Sequence, residues 1–332
     1  MKTRRIGTFD VPAIGLGCMN LSHAYGVPPS PAAGAQVLLQ ALDHGVTLFD
    51  TAALYGHGAN ETLVGQVLKA HRSKIVLCTK GGMAGVQTAQ GLKRVIDGRP
   101  DTIRRNCEDS LRRLQTDCID LYYLHRWDKN VPIEDSVGAC ARLLREGKIR
   151  AIGLSEVSAS TLRRAQQVHP IAAVQTEYSL WTRNPEIAVL EACRKSGTAF
   201  VAFSPLGRGL LTDAPPQMAA LPANDIRHAM PRFDSQHYPH NLRLQSALAS
   251  LAQEAGCSTA QLALAWVLAR GEHVLAIPGT ARVEHMLGNV QAAALELPAA
   301  VLQRASAILN EDTVRGARYN AATTAEVDTE TF

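Results

Sequence analysis

No run of about 18 consecutive apolar residues occurs in the 332-residue chain, which leaves no candidate for a membrane-spanning helix of ordinary length. The first residues, Met1 to Gly15, are basic but lead into no apolar core of signal-peptide length, so a cytoplasmic location is expected. Metal and redox spacing is also missing. The seven cysteines are an odd number and form no Cys-x-x-Cys pair, which argues against a disulfide framework or a zinc site; no metal is expected. An excess of one charge is lacking as well. Thirty-four basic and 30 acidic residues give a net charge of +4, spread along the chain, so neither nucleic acid nor a membrane surface is expected as a partner. Finally, no Gly-x-Gly-x-x-Gly stands where a strand would lead into a helix, which removes the Rossmann signature of dinucleotide binding.

What is present suits a large globular core: 46% of the residues are apolar and only 19% charged. Eight short β-branched or apolar runs begin near Ala13, Val46, Ile75, Ile119, Ile149, Ala173, Ala199 and Val274, with helical periodicity between most of them. That alternation predicts a (β/α)8 barrel spanning residues 1–332 as a single domain. Ser30-Pro31, Pro100-Asp101, Pro132, Ser158 and Pro185 read as helix starts, and Gly45, Gly147 and Gly197 as helix ends. Residues 1–12 predict a hairpin turning around Thr8 to Asp10. The wide gap between the last two runs predicts a long loop, with 205–240 as an active-site and cofactor region and helices near 241–255 and 258–270. One more helix is expected over 298–309, then a tail over 310–332 whose last dozen residues are expected to be loose. Arg104, Arg105, Arg112 and Arg113, interspersed with Glu108 and Asp109, predict a solvated helix face.

In such a barrel the reactive groups stand at the carboxyl ends of the strands. The runs end at Asp50, Lys80, His125, Ser155 with Glu156, and Gln175 with Glu177. An aspartate and a lysine there predict an ion pair inside a cleft, because single charges are costly to bury. Tyr55 follows Asp50 closely. Lys80, kept protonated by Asp50, is expected to lower the Tyr55 pKa; a shift of about three units would correspond to roughly 4 kcal/mol. His125 would orient a carbonyl oxygen. In the seventh run Gly207 and Gly209 allow close backbone approach, and Arg208 supplies positive charge for a phosphate.

The segments DTAALYG (50–56), TKGG (79–82), LYYLHRWD (121–128), GLSE (153–156), FSPLGRGLL (203–211) and IPGT (277–280) together resemble the signatures of the aldo-keto reductases, in order and over nearly the whole chain. The resemblance implies an oxidoreductase that reduces a small carbonyl substrate with NADPH, NADH being the alternative cofactor. It implies a catalytic tetrad of Asp50, Tyr55, Lys80 and His125. It also implies cofactor contacts from Gly17 and Met19, from Ser155 and Gln175 to the carboxamide, and from Phe203 to the nicotinamide ring. Ser204, Pro205, Leu206, Gly207, Arg208, Gly209 and Leu210 would wrap the pyrophosphate. Pro278, Gly279, Thr280, Arg282 and Asn289 would face the adenosine and its 2′-phosphate. Glu156, Ala281 and Gly288 depart from residues common in relatives. Tyr25, Leu54, Trp127 and Trp181 are the candidates for the substrate pocket. A nucleotide-binding, redox-sensing subunit with little turnover is the competing reading, and a Schiff-base lysine enzyme a third.

Overall fold

The computed structural model describes residues 2–22, 24–88 and 91–332; Met1, at the start of the expected hairpin, lies outside them. The hairpin pairs β1 (Thr3–Ile6) with β2 (Phe9–Pro12). It turns at Gly7-Thr8 rather than at Thr8 to Asp10, because Gly7 adopts the left-handed φ of 56° that so short a connection requires. Ile6 and Val11 point into the barrel interior and close its amino-terminal end.

After the hairpin come β3 (Leu16–Gly17), β4 (Leu48–Asp50) and β5 (Val76–Gly81). A second hairpin, β6 (Met83–Thr88) and β7 (Gly91–Ile96), precedes β8 (Ile119–Leu124), β9 (Ile149–Ser155), β10 (Ala173–Glu177), β11 (Ala199–Phe203) and β12 (Val274–Ile277). All eight expected strands are present, parallel and in sequential order, in one sheet. Bridges from Ile14 to Ala276 and from Gly17 to Gly279 join its first and last strands into a (β/α)8 barrel. The hairpin β6–β7 was not expected, since its glycine-rich sequence has no sustained apolar alternation.

Helices α1 (Pro31–Asp43), α2 (Ala59–Leu68), α3 (Pro100–Leu114), α4 (Ile133–Arg145), α5 (Ala159–Val168) and α6 (Val189–Ser196) alternate with the strands. Ser30 and Ser158 cap α1 and α5 by accepting amide hydrogens from Ala33 and Thr161. Pro185 opens only a short 3-10 turn, and α6 starts three residues after that turn ends, at Val189. The long loop after β11 is a chain of 3-10 turns leading to α7 (Tyr238–Glu254) and α8 (Thr259–Leu268). Beyond β12 follow α9 (Val283–Gln291), α10 (Ala299–Ile308) and α11 (Ala321–Ala325). On α3 the basic face is solvated at Arg112, but Arg113 reaches inward to the fully buried Glu61 at 2.6 Å.

Two apolar layers result from strand alternation. Leu121 and Tyr123 face the barrel interior, whereas Tyr122 and Leu124 face the helices. Gly153 on β9 leaves the room Tyr123 needs: a β-carbon there would lie 2.3 Å from the tyrosine ring.

The expectation of a loose last dozen residues is overturned. The Asp328 carboxylate accepts from the Ser158 amide at 3.1 Å, and that of Glu330 from the Ala159 amide at 2.8 Å, so both sit at the amino-terminal end of α5. Lys129 donates to the Ala325 and Val327 carbonyls, and the Asp328 amide donates to the Glu156 carbonyl. These are contacts between residues far apart in sequence, invisible to local composition.

Candidate active site

Alternation builds the site. Leu48 and Asp50 on β4, Val76, Cys78 and Lys80 on β5, Leu121, Tyr123 and then His125 after β8, and Ala173 and Gln175 on β10 each share an inward parity. Apolar members fill the lower interior, and the polar ones emerge together at its carboxyl end.

Asp50 and Lys80 form a buried ion pair, and Lys80 Nζ also donates to the Thr51 carbonyl at 2.9 Å. The same ammonium lies 3.2 Å from the Tyr55 hydroxyl and 5.0 Å from its ring centre. The second Asp50 oxygen accepts from Gln175 Nε2 at 2.8 Å. The His125 ring meets Tyr55 edge to face, with centroids 5.9 Å apart. Burial opposes the Lys80 charge, but Asp50 and Tyr55 carry its pKa above the ordinary value.

The Tyr55 pKa does not follow the sequence expectation. Burial of the phenol outweighs the attraction of Lys80, and Asp50 opposes the phenolate as well, so the hydroxyl titrates above its ordinary value of 10. Asp50 partly cancels the cation it holds.

Asp50, Tyr55 and His125 line a cavity of about 900 Å³ at the carboxyl end of the barrel. Gly17, Met19, Ser155, Gln175 and Phe203 line it too, as do Ser204, Pro205, Leu206 and Gly209 along one side. Pro278, Gly279, Thr280, Arg282 and Asn289 form its far end. Gly207 and Leu210 stand behind the wall, where Gly207 packs against Trp181. Of the substrate candidates, Tyr25 and Leu54 line the cavity. Trp127 and Trp181 do not: the Trp127 indole donates to the Val131 carbonyl at 2.9 Å, and Trp181 packs on Phe233 with Arg232 over its ring.

Arg208 also departs from expectation. Its guanidinium is paired with Glu177 and donates to Tyr25 and Tyr319 at 2.8 and 2.9 Å, so its charge is spent within the protein rather than held open for a phosphate. Glu156, unlike Arg208, is buried behind the cavity lining. Its carboxylate accepts from Arg318 at 2.6 Å and from the Glu177 amide at 2.9 Å. Arg318 is itself 3.1 Å from Glu177, which completes a buried chain Glu156–Arg318–Glu177–Arg208 linking the tail to β9, β10 and the loop after β11. Burial opposes the Glu177 charge, yet Arg208, Arg318 and Arg232 draw its pKa down to about 2. Sequence reasoning missed Arg318 and Tyr319, although Tyr319 lines the cavity; their spacing from the site hides them.

Backbone strain concentrates here. Six described residues other than glycine have a left-handed φ. Gln115 caps α3; the other five, Ala24, His57, Glu156, Ser204 and Arg208, lie in loops that follow barrel strands at the cavity end. Gly209, at φ 94°, completes the turn with Arg208 and Gly207.

A family model described as the aldo/keto reductase family matches residues 13–310. An aldo-keto reductase of Schizosaccharomyces pombe, whose name carries NADP(+), is 42% identical over 322 residues, 96% of this chain and 94% of that one. Among solved structures, a glycerol dehydrogenase from Gluconobacter oxydans superposes with a TM-score of 0.84 at 30% identity, covering 92% of this chain and 94% of that one. An aldo-keto reductase from Klebsiella pneumoniae in complex with NADPH superposes with a TM-score of 0.72 at 28% identity, covering 96% and 99%.

Proposed function

Since the chain belongs to the aldo/keto reductase family, we propose that it reduces an aldehyde or ketone to an alcohol with NADPH, Tyr55 delivering the proton. The observation that carries this reading is the buried Lys80 ammonium, which pairs with Asp50 and lies 3.2 Å from the Tyr55 hydroxyl, behind a cavity that Asp50, Tyr55 and His125 line.

The cavity suits an extended dinucleotide. Its length runs from Tyr55 to Asn289, and at Gly279 a β-carbon would meet Asn20 Oδ1 at 2.4 Å, so backbone replaces side chain where the wall is tightest. Ser155 and Gln175 would hold the carboxamide and Phe203 the ring. The strained turn from Ser204 to Gly209 would lie along the pyrophosphate. Thr280, Arg282 and Asn289 would take the adenosine end, where Glu284 at 3.6 Å is the one ion-pair partner of Arg282 among the described residues. Bound in this way, the reduced nicotinamide supplies hydride.

The residues do the rest. His125 orients the carbonyl oxygen toward Tyr55. The raised Tyr55 pKa keeps the phenol protonated at neutral pH, which is the form an acid needs. As the carbonyl oxygen gains alkoxide character it becomes a far stronger base than a phenolate, and the proton moves to it. Lys80 then faces the nascent phenolate, so its charge acts most strongly after the proton has left. Asp50 fixes that ammonium in place.

Steady-state oxidation of NADPH and of NADH, measured with a panel of aldehydes, ketones and sugars, tests the reading. Turnover with a carbonyl supports it. Tight NADPH binding with no turnover above buffer would favour the redox-sensing subunit instead, and a borohydride-trapped Lys80 adduct would favour a Schiff-base enzyme.

A further inference from the structure

Five arginines line the cavity, and four of them have a carboxylate within salt-bridge distance: Arg94 with Glu326, Arg208 with Glu177, Arg227 with Asp225, and Arg282 with Glu284. Arg126 has none among the described residues. It follows His125 directly, and its Nη1 donates only to two neutral acceptors, the His125 carbonyl at 2.8 Å and Ser155 Oγ at 3.3 Å. Its Nε is buried and has no hydrogen-bond partner among the described residues.

A half-buried guanidinium without an anion is expensive, because it gives up water and receives no compensating charge. Two neutral acceptors held through one nitrogen leave most of the fork unused, and the planar fork is suited to a carboxylate. The two acceptors also fix the group in place, so little ordering is left to occur on binding. Its surroundings favour a substrate anion over a structural one: Tyr55, His125, Leu54 and Met83 share the same cavity wall.

Building on the reductase reading, we propose that Arg126 forms a subsite for an anionic group on the carbonyl substrate, so that the preferred substrates are oxo-acids or aldehydes bearing a carboxylate. The guanidinium takes the carboxylate while His125 and Tyr55 take the carbonyl oxygen. The substrate is thereby held at two points, and its reacting carbon is aligned by charge as well as by shape.

The test compares each of the three isomeric carboxybenzaldehydes with its own methyl ester, under saturating NADPH. For at least one isomer, kcat/KM for the acid should exceed that for the ester by about tenfold or more. Arg126→Met should collapse that ratio toward one, and Arg126→Lys should retain part of it. Inhibition of the unmodified enzyme by benzoate against benzamide gives a readout that needs no variant, with benzoate expected to bind more tightly. Ratios near one for every isomer in the unmodified enzyme would overturn the proposal. So would a high ratio that survives Arg126→Met, which would place the subsite elsewhere. A weakened NADPH affinity in Arg126→Met with no change in the ratio would assign the guanidinium to the cofactor and overturn it too. Turnover of the esters reports on the reductase reading independently, so failure of one idea is distinguishable from failure of the other.

Discussion

Replacing Glu177 by glutamine removes one negative charge from the point where the tail, β10 and the loop after β11 meet. The carboxylate is buried and is shared between Arg208 and Arg318. Two routes give the cost. Removing one partner of a buried ion pair typically destabilises by about 3–5 kcal/mol, because the remaining charge stays buried. Linkage gives a second figure: the pKa falls from 4.5 to about 2, which at about 1.4 kcal/mol per unit corresponds to about 3 kcal/mol. The sign follows from the depression. The carboxylate's contribution is fully present above about pH 4.5 and is lost as pH falls toward about 2. Urea unfolding of both proteins between pH 7 and pH 3 should therefore show a gap of about 3 kcal/mol at neutral pH that narrows by about 2 kcal/mol at pH 3. The difference between the two proteins cancels the other carboxylates that titrate in that range. A gap below about 1 kcal/mol at pH 7, or one that does not narrow with acid, would refute the reasoning.

The phenol of Tyr55 should not ionise below pH 10 in the free protein, because burial outweighs Lys80; an ultraviolet difference titration against Tyr55→Phe checks this, and a phenolate signal near neutral pH would contradict it. Arg282→Met should raise the NADPH dissociation constant about tenfold and leave NADH nearly unchanged, as expected for one lost contact between a guanidinium and a phosphate. Asp328→Ala removes the acceptor at the start of α5, so hydrogen exchange over the last dozen residues should speed up while the barrel strands stay protected.

Much of this architecture is legible in local sequence. Strands such as IVLCTK and IDLYYLH announce themselves by apolar composition, and the inward parity of Asp50, Lys80, His125 and Gln175 follows once those runs are taken as barrel strands. What could not be read depends on distant partners. Arg208 resembles a phosphate ligand when only the loop is considered, and becomes a structural cation because Glu177 and Tyr319 reach it from elsewhere in the chain. The last dozen residues resemble loose chain because their Thr-, Ala- and acid-rich composition does not reveal that Asp328 and Glu330 accept from amides at the start of α5. Trp127 and Trp181 follow strand ends as pocket residues would, yet the Trp127 indole turns to Val131 and Trp181 turns to Phe233. The direction of the Tyr55 pKa shift is not legible either, because the burial that outweighs Lys80 comes from the whole fold around the phenol.

The most direct measurement is a single-turnover reaction of Tyr55→Phe, first loaded with stoichiometric NADPH and then mixed with an aldehyde that the unmodified enzyme reduces. The account predicts NADPH affinity close to that of the unmodified protein and a rate of NADPH oxidation lower by about two orders of magnitude or more. Oxidation of the bound NADPH at an undiminished rate would contradict it.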